Sequence, residues 1–130
     1  MCGIFGAIHS KTADYKTRQA LNVLIAEALQ VGVVRGEDSS GIFQIRYDDK
    51  PVIHKVPYSG FYLADDPKAK ALLTNTDVSL VTVVHHRAAT RGSISAANAH
   101  PFQHTVGENT VTGVHNGHIS NFKYKEDDIP

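Results

Sequence analysis

The sequence predicts an α+β fold built on antiparallel sheet, in which strands outnumber helices. Three observations carry this. Only residues 15–31 place apolar side chains at sustained helical spacing, with Ala20, Leu21, Leu24, Ile25, Ala28 and Leu29 three and four apart. Residues 42–47 and 52–56 read as two strands joined by Asp48-Asp49-Lys50-Pro51, a hairpin signature. Residues 78–84 are β-branched and apolar, as a central strand requires.

In chain order, residues 2–9 read as a buried first strand, with Gly3 and Gly6 allowing close backbone approach. Thr12 or Asp14 can cap the helix of residues 15–31, and Gly32 can end it. Residues 34–41 read as a polar loop bracketed by glycine. Residues 58–64 carry no clear periodicity. Residues 68–73 read as a short helix, with Asp66 as cap and Pro67 in its first turn. Residues 87–102 are rich in glycine and alanine with few periodic apolar positions, so a long functional loop is expected there. Gly107-Glu108-Asn109 supplies turn chemistry before a strand at 110–114. After Asn121 the chain becomes charged and shows no completed element. A four-layer sandwich needs more strands and helices than these.

A chain of 130 residues, 42% hydrophobic and 20% charged, fits one globular domain. Its 13 basic and 13 acidic side chains are evenly spread, which argues against a nucleic-acid partner. No apolar run has membrane-spanning length, and the start lacks the pattern of a signal peptide. The single cysteine, Cys2, cannot form an internal disulfide, so a cytoplasmic location is expected.

Cys2 admits two readings. It is a small hydrophobe on a first strand. It is also the residue that removal of Met1 would make amino-terminal, with a thiol nucleophile and a free α-amine as base on one residue. Six of the eight histidines fall between residues 85 and 118, while residues 78–107 hold Arg87 and Arg91 but no Asp or Glu. The arginines suit an anionic ligand group or the capping of carbonyls. A histidine-rich metal site is the weaker reading, since few acids and no second cysteine accompany the histidines. Asn116-Gly117 fits a tight hairpin turn, or an oxyanion hole made from a side-chain amide and the next backbone N–H.

Four separated pieces acquire meaning together: Met1-Cys2-Gly3-Ile4-Phe5-Gly6, Arg35-Gly36-Glu37-Asp38-Ser39-Ser40-Gly41, His86-Arg87-Ala88-Ala89-Thr90-Arg91-Gly92 with Asn98-Ala99-His100-Pro101-Phe102, and His115-Asn116-Gly117-His118-Ile119-Ser120-Asn121. In this order they resemble the glutaminase domain of class II glutamine amidotransferases, which carry an N-terminal nucleophile. The resemblance covers nearly the whole chain. It implies an αββα sandwich of the N-terminal-nucleophile hydrolase type, present here in part. It implies that Cys2, freed of Met1, is the nucleophile, and that Asn116 and Gly117 form the oxyanion hole. It implies that Arg87 grips the α-carboxylate of L-glutamine, supported by Thr90, with His100 close to the substrate. No cofactor and no metal are implied.

Two departures qualify this resemblance. Ala88 stands where many relatives carry an aromatic residue. The downstream acidic residue that holds the glutamine α-amine, and the strands that complete the sandwich, lie beyond what residues 1–130 supply. The expectation is therefore the N-terminal portion of such a domain, completed by a second chain or serving a synthase subunit that accepts the ammonia. An incomplete sheet would expose an edge and an apolar face. The alternative is a truncated, non-catalytic relative acting as an interaction module.

Overall fold

The apolar spacing of residues 15–31 produces helix α1 (Tyr15–Val31). Asp14 caps it: its extended backbone leaves the carboxylate free to accept from Thr17 N at 2.8 Å. At the other end the Gly32 N–H returns to Ala28 O, and a 3-10 turn (Gly32–Arg35) follows. The computed structural model describes residues 1–47, 51–74 and 79–117.

Strands β1 (Gly3–Ile8), β2 (Ser39–Arg46), β3 (Val52–Val56) and β4 (Ser79–Arg87) form one antiparallel sheet in the order β1-β4-β2-β3. A short helix α2 (Gly60–Leu63) and helix α3 (Pro67–Thr74) connect β3 to β4. Asp66 starts α3, its carboxylate accepting from Lys68 N at 2.8 Å and Ala69 N at 3.3 Å. Strands β5 (Phe102–Val106) and β6 (Asn109–Gly113) form a separate hairpin. Helices with antiparallel strands make this an α+β fold.

Register divides the main sheet into two faces. Ile42 pairs with Val84 and His54, and Ser40 with His86 and Val56. Their shared face meets the helices: Ile42, Val84 and Val56 form one buried core with Ile25, Leu29, Leu63, Ala69 and Leu73. Two buried amides stitch it. Asn22 Nδ2 on α1 donates to Leu73 O at 2.6 Å, and Gln44 Nε2 on β2 donates to Leu72 O at 3.0 Å. The opposite face carries Ile4, Ile8 and Ile45, all exposed.

Several expectations are revised. Strand β1 is not buried, because among the described residues it lies at the sheet edge, paired with β4 on one side; Ile8 is 79% exposed. The polar loop expected at 34–41 is shorter, since Ser39, Ser40 and Gly41 already pair with β4 in β2. The helix stripe is narrower than the six apolar positions suggest. Ile25 and Leu29 are fully buried, while Leu24 is exposed in a groove beside Ile4 and Phe5. Strand β5 was absent from the expected elements, and its pairing with β6 around Gly107 supplies it. The Asp48-Asp49-Lys50 turn, His118 and the charged tail lie outside the described residues.

Candidate active site

The site grows from the C-terminal end of β4, where alternation sends neighbouring side chains to opposite faces. His86 turns toward the helices and donates from Nε2 to Ala28 O at 3.0 Å. His85 turns to the other face, beneath residues 99–117. There Gly41 is the cross-strand partner of His85, and a Cβ at Gly41 would collide with the His100 carbonyl. Glycine at this position lets the loop lie directly on the sheet. Lys55 on β3 holds the same loop, donating to Ala97 O at 3.3 Å and Ala99 O at 3.1 Å.

Arg87 ends β4 and is buried. Its Nη1 donates to Ser93 O at 3.0 Å and its Nη2 to Arg91 O at 2.5 Å. The guanidinium thus folds residues 88–93 around itself, which is the carbonyl-capping reading of the sequence. Asn98 closes the same turn, with Nδ2 donating to Ser93 O at 3.1 Å. Asp38, just before β2, braces the other side. Its N–H donates to Arg87 O at 3.1 Å, and its carboxylate accepts from Ala89 N at 2.6 Å.

These supports frame an open cavity of about 390 Å³. Cys2, Arg87, Thr90, Arg91, His100, Asn116 and Gly117 line it together, with Met1 at the rim. All six residues singled out from the sequence (Cys2, Arg87, Thr90, His100, Asn116 and Gly117) therefore border one space, although they span 116 positions of the chain. Cys2 is half-buried, its Sγ 3.8 Å from Ala88 O. Asn116 Nδ2 donates to the Cys2 carbonyl at 3.0 Å. Gly117 has φ +115°, a conformation that favours glycine. Thr90 and Arg91 are exposed in the cavity wall.

His100 is buried and plays a more internal part than its place in the wall suggests. Its ring stacks on His85 with centroids 4.1 Å apart and an interplanar angle of 10°. His115 stands edge-on at 4.7 Å. His100 Nδ1 accepts from His115 N–H at 3.2 Å, and His85 Nε2 donates to His115 O at 3.1 Å. Burial lowers both rings to a pKa of about 4; neighbouring positive charge adds to this. Among the described residues, no group of three or more His, Cys, Asp or Glu is arranged to hold a metal ion.

The sequence placed Asp38 in the piece at residues 35–41 and His85 in the histidine cluster, but gave neither a role in the site. Asp38 sat in a segment read as a polar loop, and nothing in the order of residues gives its partner on β4. His85 was detectable in principle, since strand alternation puts it opposite His86 and toward the loop.

A backbone-cradled cavity holding a cysteine next to the N-terminus, an Asn-Gly turn and an arginine-centred loop defines a class. The chain belongs to the class II glutamine amidotransferases: the family model with that description matches residues 61–129, more than half of its length. Among individual relatives, glutamine–fructose-6-phosphate aminotransferase (isomerizing) of Zymomonas mobilis is 33% identical over 99% of this chain. The enzymes of the same name from Chlamydia abortus and Mycobacterium bovis are 33% and 35% identical over 95% and 94% of it. The chain spans 18% of the length of each of these relatives. No helix among the described residues is long and apolar enough to cross a membrane.

Proposed function

We propose that these 130 residues are the N-terminal portion of a glutaminase domain, and that the domain hydrolyses L-glutamine to glutamate and ammonia through Cys2. The observation that carries this reading is the convergence of Cys2, Arg87, Thr90, Asn116 and Gly117 on one cavity. Removal of Met1, which is 75% exposed, would free the Cys2 α-amine. An α-amine of pKa about 7.7–8.0 is partly neutral near pH 7 and can take the thiol proton. Sγ then adds to the side-chain amide carbon of glutamine. Charge collects on the amide oxygen, where the Asn116 amide and the Gly117 N–H are the donors, each such contact being worth roughly 3 kcal/mol. The C–N bond breaks, the relayed proton leaves with ammonia, and a γ-glutamyl thioester remains. Water cleaves the thioester, returning the thiol and giving glutamate.

Arg87 fits recognition of the glutamine α-carboxylate through N–H groups not spent on Ser93 and Arg91, with Thr90 and Arg91 beside it. The exposed face carrying Ile4, Ile8 and Ile45 is consistent with a sandwich whose second layer comes from further chain or from a partner. The named activity of the relatives suggests an aminated acceptor in a separate synthase domain.

The test is direct. Cys2→Ala is expected to lower glutaminase turnover by about a thousandfold or more, as loss of a nucleophile does. A form retaining Met1 should be equally inert, as judged by intact mass and ammonia release from the same sample. Full turnover by Cys2→Ala would sink the mechanism.

A further inference from the structure

The two imidazoles under the Asn116-Gly117 turn do something that neither the cavity nor the sequence motif accounts for. They engage the backbone of one residue from both sides. His100 Nδ1 takes the His115 N–H at 3.2 Å, and His85 Nε2 reaches the His115 carbonyl at 3.1 Å. The rings that do this lie in van der Waals stacking at 4.1 Å, so neither can tilt without moving the other. The next residue is Asn116, whose amide lies 3.0 Å from the Cys2 carbonyl.

The chemistry fixes the proton positions. A carbonyl only accepts, so His85 must carry its proton on Nε2. His85 Nδ1 is then a bare lone pair, in keeping with its burial without a hydrogen-bond partner among the described residues. An amide N–H only donates, so His100 must leave Nδ1 unprotonated and hold its proton on Nε2. Protonating His100 at Nδ1 would turn the acceptor into a second donor facing the His115 N–H.

We infer that His85 and His100 are positioning residues: a stacked, neutral imidazole pair that clamps the backbone on both sides of His115 and so sets the Asn116-Gly117 turn against Cys2. This rests on the glutaminase reading above for its consequence in catalysis, but the clamp itself is a structural claim. Burial keeps both rings neutral at pH 7; the positive charge of Arg87 opposes protonation of both, and that of Lys55 opposes protonation of His100. Neither ring moves a proton to substrate; both act through residue 115.

The clamp is read first from the His115 amide. In the wild-type protein its hydrogen exchange should be slow, and the nitrogen shifts of both rings should report the Nε2–H tautomer. His100→Leu removes the acceptor and should speed that exchange about tenfold, the equivalent of one lost buried hydrogen bond. His100→Asn, whose side-chain oxygen can stand near the Nδ1 position, should restore protection. His85→Leu and His85→Gln should behave as the corresponding pair, Gln supplying a donor near Nε2. An unprotected His115 amide in wild type overturns the clamp, as does an Nδ1–H tautomer at His100; the tautomer needs no variant to fold.

The second arm reads catalysis. Displacing the turn by about 1 Å should lower kcat up to about a hundredfold. KM for glutamine should stay within a small factor, because Arg87 and Thr90 are untouched. Alkylation of Cys2 by iodoacetamide, which develops no oxyanion, should keep its wild-type rate. His100→Leu that loses amide protection yet keeps full kcat overturns the positioning role. Wild-type protein in its complete domain, or with the partner that completes it, that shows a protected amide but no turnover refutes the glutaminase reading while supporting the clamp.

Discussion

His85 and His86 are adjacent in sequence, both buried, and both donate from Nε2 to a backbone carbonyl about 3 Å away. Burial depresses the pKa of both. Their consequences differ because β4 sends them to opposite faces. His86 holds Ala28 near the end of α1, in a niche bounded by Gly32 and Gly60, either of which would strike the ring if it bore a Cβ. His85 holds His115, one residue from the Asn116-Gly117 turn. One imidazole fixes the scaffold and the other fixes the cavity wall. Residue type and local chemistry therefore do not reveal a role; the element on the far side of the hydrogen bond does.

The strongest way to test the contrast between the faces is to empty each of them. Ile42, fully buried against the helices, should cost about 2–5 kcal/mol as Ile42→Ala, through lost transfer energy and an unfilled cavity. Ile8→Ala on the open face of the 130-residue chain should stay within about 0.5 kcal/mol. Chemical denaturation midpoints measure both. Equal losses would mean that the open face is packed and that the two sides are alike.

A smaller effect separates the two histidines. His86→Leu removes one of the two donors to the Ala28 carbonyl, which keeps the Gly32 N–H, and should cost about 0.5–1.5 kcal/mol. That loss should appear as a lower melting temperature, with glutamine turnover per folded molecule preserved. His85→Leu should show the reverse weighting, a modest thermal loss and a clear fall in kcat. If His86→Leu cut turnover as deeply as His85→Leu, the division between scaffold and site would fail.

The sequence made the helix-facing half of the molecule more legible than the other half. Helix α1 matched its expected span because apolar spacing and the Asp14 cap are local signals. The hairpin of β2 and β3 and the central β4 were likewise visible in β-branched runs. The exposure of β1 was not, since an edge position depends on which strand fails to arrive on its other side. In the cavity, residue identities could be gathered from four motifs, but their supports could not. Arg87 reaching Ser93 and Arg91, Asp38 reaching Ala89, and the pairing of His85 with His115 are contacts set by the fold. Strand β5 escaped because His104 interrupts the apolar face of Phe102 and Val106 that alternation would otherwise show, and all five residues are exposed.

The same comparison predicts an acid response with a defined origin. His85 and His100 have folded pKa values of about 4, and His86 is lowered as well, against an ordinary value of 6.5. A depressed folded pKa means that the unfolded chain binds protons first as the pH falls. Stability from these rings is therefore complete above pH 6.5 and declines as pH drops toward 4. The positive charges of Arg87 and Lys55 beside the rings add to the cost of protonating them. Melting temperature should accordingly be lower at pH 5 than at pH 7.5. The double variant His85→Gln, His100→Asn keeps hydrogen-bonding groups on the loop side but removes its titration. It should flatten the pH dependence of the melting temperature by more than half, leaving the part that belongs to His86 and His9. An unchanged slope would place the acid sensitivity on His86 and His9, and would show that the imidazoles beneath the cavity are not the neutral pair their hydrogen bonds require.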